Sequence, residues 1–161
     1  MAKRPDDGTI TVATNRAVRH EFMIEDTYEA GMMLRGSEVK ALRESKAQIG
    51  EAFAILRNGE MFLHNLHIAQ YSHAARHNGH EPLRIRKLLL NRRELERIGM
   101  KMQQERLSIL PMRIYFKDGK AKVEIGLGKA KRKVDKRQDL AKKEAGREAE
   151  RALGRQRKQM E

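Results

Sequence analysis

The sequence predicts a mainly β domain, a small closed or partly open barrel with accessory helices, followed by a basic C-terminal tail. Three observations predict it. Short apolar runs recur along the chain between turn signals, which suits strands interrupted by helices better than a parallel sheet with regular crossovers. All seven aromatics, Phe22, Tyr28, Phe53, Phe62, Tyr71, Tyr115 and Phe116, precede residue 117, so large apolar surface is confined to the first three-quarters. Residues 129–161 hold 13 Lys or Arg against 6 Asp or Glu, a net +7 within a chain of +13. The expected division is a flexible arm over 1–8, a β-barrel domain over 9–128 and a basic tail over 129–161.

The elements follow in order. Thr9–Val12 alternates weakly. His20–Ile24 and Tyr28–Leu34 read as two short strands joined by Glu25-Asp26-Thr27. Ser37 has the side-chain oxygen of a helix cap, with Glu38 suited to the positive end of a helix over 38–43. Ala52–Leu56 and Met61–His64 form a hairpin across Asn58-Gly59, because both residues tolerate positive φ. Leu66–Tyr71 continues as a strand, and Ser72–Pro82, rich in His and Gly, reads as a long exposed loop. The spacing of Leu88, Leu89, Leu95 and Ile98 predicts a helix capped locally by Asn91 and stopped by Gly99. Leu107–Leu110, Met112–Phe116 and Ala121–Leu127 are strands, the last two joined by Lys117-Asp118-Gly119-Lys120, with Pro111 at a bulge or edge. In the tail, Asp135 and Gln138 have capping-box spacing ahead of Ala141, Ala145, Ala149 and Leu153. That stripe offers a helix little apolar area for docking, so an RNA or protein surface is expected to order it.

Composition narrows the function. At 161 residues the chain suits one domain plus an appendage. The absence of cysteine excludes disulfides and thiol nucleophiles. No apolar run approaches the ~20 residues of a membrane span and the start has no secretory segment, so a soluble, cytoplasmic protein is expected. The charge of +13 favours a polyanion, nucleic acid before lipid, because no segment joins a basic face to bulky apolar anchors.

Two basic regions carry that reading. Lys129-Ala-Lys-Arg-Lys133, continuing to Lys136 and Arg137, can pair with phosphates and release their counterions. Arg84, Arg86, Lys87, Arg92 and Arg93 form the second, with a solvated charged face as the alternative for both. His73, His77 and His80 lack an obvious fourth metal ligand and read as polar loop residues. Phe53, Phe62, Tyr115 and Phe116 fall in apolar strands and read as core. Glu21, Glu25 and Asp26 make no catalytic pattern, and there is no phosphate loop, His-Glu-x-x-His or nucleophile elbow. No catalysis, cofactor or metal is expected.

Several segments in shared order are more specific than composition. Asn15-Arg-Ala-Val-Arg-His20, Tyr28-Glu-Ala-Gly31, Gly36-Ser-Glu-Val-Lys40, Leu63-His-Asn-Leu-His-Ile68, Pro82-Leu-Arg-Ile-Arg-Lys-Leu-Leu-Leu90 and Asp135-Lys-Arg137 closely resemble the bacterial small protein B family, the SsrA-binding proteins. The resemblance covers about residues 9 to 150. It implies an oligonucleotide-binding-type barrel and a tail that is disordered alone and helical on the ribosome. It also implies an adaptor that brings transfer-messenger RNA, bound by its transfer-RNA-like part, to stalled ribosomes, with the tail in the empty mRNA path. The partners implied are that RNA and the ribosome, with no membrane, and the free protein is expected to be monomeric.

By the same resemblance Asn15, His20 and Glu29 belong to the RNA-binding or RNA-surface-supporting set, with Arg86 and Lys87 beside them and Leu89 supporting that surface by packing. Arg86 and Lys87 can meet phosphate, whereas Glu29 can pair with a nearby Arg or accept from a nucleotide donor. In the tail, Lys131, Arg132, Lys136 and Arg137 engage ribosomal RNA and Asp135 caps the induced helix. Val134 stands where the family commonly has an aromatic or histidine, and valine has no ring to stack on a base.

Overall fold

The computed structural model describes residues 8–71 and 79–160, so residues 1–7 of the expected arm, and His73 and His77, lie outside the described residues. In chain order the elements are β1 (Thr9–Thr14), α1 (Ala17–Glu21), β2 (Phe22–Met32), α2 (Gly36–Arg43), β3 (Ala47–Gln48), β4 (Phe53–Arg57), β5 (Glu60–His64), β6 (His67–Ile68), β7 (Arg86–Leu89), α3 (Arg92–Gln104), β8 (Ser108–Lys117), β9 (Lys120–Ala130) and α4 (Lys133–Met160). The main sheet runs β1-β8-β4-β5-β7-β2-β9, and β9 also pairs with β8, which closes it into a barrel. Met61, Leu63, Leu88, Ile114, Val123, Ile125 and Leu127 fill the barrel, with Leu42 of α2 and Ile98 of α3 packed into the same core.

Both predicted tight turns form, Asn58-Gly59 for the predicted reason and Asp118-Gly119 in the same way. Asn58 and Gly59 have φ of 52° and 76°, and Asp118 and Gly119 have 51° and 76°. Two successive left-handed residues give a turn whose twist matches that of the flanking strands.

Elsewhere the strands are longer than the apolar runs. Glu25-Asp26-Thr27 is no turn: β2 is one strand, with a register shift against β9 between Ile24 and Asp26. A bulge reverses which alternate residues face inward. Phe22 and Ile24 therefore pack against Val18, Leu110 and Met112 in a small second core under α1, whereas Tyr28 and Ala30 face the barrel. β8 behaves alike. Its register shifts between Pro111 and Arg113, so Pro111 sits at a bulge as expected and joins the two predicted strands into one. Gly126 and Gly128 of β9 make room for this crossing: a β-carbon at 126 would lie 2.7 Å from Met112 Sδ, and one at 128 would lie 2.9 Å from Ile24 Cδ1.

Three helix readings shift. Residues 17–21, partly read as strand, form α1 and bury Val18. α2 begins after Arg35 rather than Ser37, and its first turn is closed by Glu38, which accepts the Arg35 N–H at 2.9 Å. The Leu88–Ile98 helix is two elements: Leu88 and Leu89 belong to β7, and α3 starts after Asn91 and runs through Gly99. A short apolar run looks alike in strand and helix. Gly99 does not stop α3 but lets it approach the barrel, 3.5 Å from Leu56 Cδ2 at its missing β-carbon. The predicted strand over Leu66–Tyr71 is reduced to β6, paired with β3.

β9 pairs through Ala130, two residues beyond the 128/129 boundary suggested by the charge run. α4 starts earlier than Asp135. That carboxylate accepts the Arg132 N–H at 3.4 Å, so it serves the first turn from inside rather than from the preceding position. Every side chain from Leu140 through Gln159 is exposed.

Candidate nucleic-acid interface

The residues singled out in the sequence separate into two surface patches and one buried group. The patches lie near opposite ends of β2, since Phe22 pairs with Ala130 at one end and Gly31 with Leu89 at the other. Nine residues of strand at ~3.3 Å each put roughly 30 Å between them.

The first patch joins α1 to the root of α4. Asn15 is 8% exposed and does not face outward. Its N–H bonds the Met112 carbonyl at 2.8 Å and its Nδ2 reaches the Ile49 carbonyl at 3.5 Å, which fixes the entry to α1. His20, on the last turn of that helix, is half-buried. Lys131 ties the two elements together: its backbone N–H bonds the Glu21 carbonyl at 2.8 Å, and its Nζ bonds the Arg19 carbonyl at 2.9 Å and the Asp139 carboxylate. That cation sits at the negative end of α1, and it holds the Asp139 carboxyl below the ordinary carboxylate value. Arg132 and Arg137 are exposed and Lys136 is half-buried; none of the three makes an ion pair among the described residues. Val134 is also exposed.

The second patch covers the outer face of β2, β7, β8 and β9. Glu29 is exposed there, and its partner is no arginine. Tyr115 Oη donates to its Oε2, and Lys117 Nζ lies 3.6 Å from the same oxygen. The Tyr115 hydrogen bond, more than nearby Lys117 and Lys122, holds the Glu29 carboxyl below its ordinary value. Tyr115, read as core, is 3% exposed yet belongs to neither apolar cluster; Arg113 lies over its ring, 4.3 Å from the centroid. Leu89 is 50% exposed and does not support the surface from beneath. It lies over Gly31, where a β-carbon would come within 3.3 Å of it. Lys87 projects from the same strand and pairs with Glu60 at 3.1 Å.

Arg86 corrects the sequence reading. Its side chain is 0% exposed, so it meets no phosphate. It alternates with Lys87 along β7 and points into the barrel end, where Nε donates to Glu38 Oε2, Nη1 to the Leu66 carbonyl at 2.5 Å and Nη2 to the Pro82 carbonyl at 3.0 Å. Glu38, equally buried, also accepts from Arg84. Burial alone would raise the Glu38 carboxyl, but donors from Arg84, the Arg35 backbone and Arg86 outweigh it and hold it low. Burial pushes the Arg86 guanidinium down from its ordinary value, against the opposing pull of Glu38. His80 belongs to the same interior rather than to an exposed loop. It is 1% exposed, with Nδ1 3.0 Å from Ser37 Oγ and Nε2 2.8 Å from the Ile68 carbonyl. Ser37 therefore serves His80, not the helix end. His64 stacks on Phe53, ring centroids 5.4 Å apart.

Sequence reasoning missed Tyr115, Arg113 and Lys117 beside Glu29. The only local signal was alternation along β8, and alternation does not say which face a neighbouring strand's carboxylate occupies. Among the described residues no cluster of His, Asp or Glu could hold a metal ion, and no helix is long and apolar enough to cross a membrane.

Comparison with known proteins bears on the whole chain. The family model described as SmpB protein matches residues 12–155. An SsrA-binding protein of Salinispora tropica is 53% identical over 96% of this chain and 97% of its own, and one of Geobacter sulfurreducens is 48% identical over 91% and 95%. A solved chain described as "tmRNA-SmpB: a journey to the center of the bacterial ribosome" is 42% identical, with a TM-score of 0.62 over 80% of this chain and 93% of that one. The oligonucleotide-binding-type barrel, its accessory helices and the basic terminal helix are thus accompanied by a match running almost end to end, and on that match this chain belongs to the SmpB family, the SsrA-binding proteins.

Proposed function

We propose that this protein is a non-catalytic cytoplasmic RNA adaptor. It binds the transfer-RNA-like part of transfer-messenger RNA and delivers it to stalled ribosomes for trans-translation. The barrel, over about residues 9–128, holds the RNA, and the tail enters the empty mRNA path. The observation that carries this reading is the division of labour in the fold. A closed barrel with exposed cationic patches is joined to a helix of 28 residues whose side chains from Leu140 through Gln159 are all exposed. One part can grip a folded RNA while the other occupies a second, phosphate-lined site.

Within that division, His20, Glu29, Lys87 and Leu89 lie on surfaces an RNA can reach, and Asn15 and Arg86 support those surfaces from inside. Arg132, Lys136 and Arg137 engage ribosomal RNA, while Lys131 and Asp135 organise the helix root. A helix 10–12 Å across is a compact occupant for a path that otherwise takes a single strand.

The test is a titration of the full chain with transfer-messenger RNA at near-physiological salt, with ordinary transfer RNA and duplex DNA as competitors. Preference for transfer-messenger RNA is the expected result. Equal binding to all three would reduce the protein to a general polyanion binder.

A further inference from the structure

Tyr115 is a nearly buried phenol on the outer wall of the barrel, and neither apolar cluster uses it. The register of β2, β9 and β8 explains its setting. Glu29 pairs with Glu124, and Glu124 with Arg113, in one row; Gly31 pairs with Lys122, and Lys122 with Tyr115, in the next. Two carboxylates directly opposite each other repel. Arg113 relieves that by lying 3.9 Å from Glu124, and it also donates to Thr11 Oγ1 at 3.4 Å while covering the Tyr115 ring. The phenol is thereby clamped, and its hydroxyl reaches diagonally to Glu29.

Both partners of Glu29, Tyr115 Oη and Lys117 Nζ, use Oε2. Among the described residues the hydrogen bond to the Glu29 carboxylate is made at Oε2, and none is made at Oε1. An ionised carboxylate has only acceptors to offer and cannot approach phosphate, so what it can take from RNA is an N–H of a base or a ribose hydroxyl. Lys117, with its Nζ 3.6 Å from Oε2, and Lys122, opposite Gly31 on β9, border the same carboxylate, and a lysine there can meet the phosphate of such a nucleotide.

We infer that Tyr115 is a positioning residue for RNA recognition: it holds Glu29 by Oε2 and so presents Oε1 to accept a base N–H from an unpaired nucleotide. The inference rests on Glu29 belonging to the RNA-binding face. It adds to that reading a specific acceptor atom, the donor class it takes and the residue that fixes it.

A double-mutant cycle read by transfer-messenger RNA titration tests it. Glu29→Ala weakens binding, and Tyr115→Phe, which keeps the ring and removes the hydroxyl, weakens it about fivefold, the size of one ordinary net hydrogen bond and less than a direct bond to a charged group, because the phenol acts through a second residue. In the Glu29→Ala background Tyr115→Phe has no further effect. A second readout is the acid side of the binding curve. The groups facing Glu29 are Tyr115, Lys117 and Arg113 from β8 and Lys122 and Glu124 from β9, with uncharged Leu89 on the β7 side. Removing the phenol hydroxyl leaves the lysines in place and moves the pH at which acid weakens binding upward, a shift that a packing defect would not produce. An equal loss from Tyr115→Phe in both backgrounds, or no loss while Glu29→Ala still weakens binding, overturns the positioning role and leaves the adaptor reading intact. No effect of Glu29→Ala overturns the placement of Glu29 on the RNA face, and the inference with it. Transcripts bearing 2′-deoxy substitutions across the contacted nucleotides separate the donors: unchanged coupling supports a base N–H, and lost coupling transfers the contact to the ribose.

Discussion

The segment 80–89 and the segment 131–137 both carry clustered cations and put them to opposite use. Both are rich in Lys and Arg. In the first, Arg86 is enclosed, and each of its three guanidinium nitrogens has an acceptor inside the fold. In the second, Arg132 and Arg137 are exposed and have no ion-pair partner among the described residues. The difference is the location of the counter-charge. Glu38 brings it within the barrel for Arg86, whereas the outer tail cations must find theirs on another molecule. A charge count measures attraction to a polyanion only after such internally neutralised cations are set aside.

The contrast is broken most severely by removing the tail. Deleting residues 133–161 spares every β9 pair and abolishes rescue on ribosomes with an empty mRNA path, while most of the affinity for transfer-messenger RNA remains. A rescue assay beside an RNA titration measures both, and undiminished rescue would refute the division. The deletion point matters, because a cut at 129 would also remove the pairs of Lys129 and Ala130 with Met23 and Phe22.

Next in size is Arg86→Ala, which costs about 3–5 kcal/mol of stability because it takes from a buried carboxylate one of its two arginines and leaves the Leu66 and Pro82 carbonyls without their donor. Denaturant unfolding measures it. A stable variant with weakened RNA binding would return Arg86 to the surface. The same pairing has a pH signature. Since Glu38 is held below its ordinary value of 4.5, its stabilisation is complete above that pH and is lost as pH falls through the lower folded value. Glu38→Gln removes that acid limb.

The smallest effect sharpens the other side. Arg137→Ala lowers the salt slope of ribosomal RNA binding by about 0.7–0.9, the share of one phosphate contact, with no change in unfolding midpoint. An unchanged slope would make Arg137 a solvated charge.

What could be read from the sequence follows the range of the forces involved. Asn58-Gly59, Asp118-Gly119 and Pro111 were legible because turn chemistry and a missing donor act within a few residues. Arg86 was not, since the carboxylate that claims it stands 48 positions away. His80 was misread for the same reason: its partners Ser37 and Ile68 are distant in sequence. Glu25-Asp26-Thr27 has the composition of a turn, and only pairing with β9 makes it a bulge. Glu29 entered through family resemblance, and its real neighbours, Tyr115 and Lys117, appear only once β2, β9 and β8 lie side by side.

The Lys131 clasp gives α4 a mechanical character. Its grip extends from α1 to Asp139, nearly two turns into the helix, so the base is gripped over a length rather than at a point. Beyond Asp139 the 28-residue helix continues for 21 residues, about 32 Å at 1.5 Å per residue. A stiff rod of that length is a lever. A tilt of about 10° at the clasp carries the far end through roughly 5.5 Å, about one helical turn of 5.4 Å. Whatever grips the barrel therefore also aims the tip, and a small adjustment beside His20 becomes a displacement large enough to choose between neighbouring phosphates at the other end.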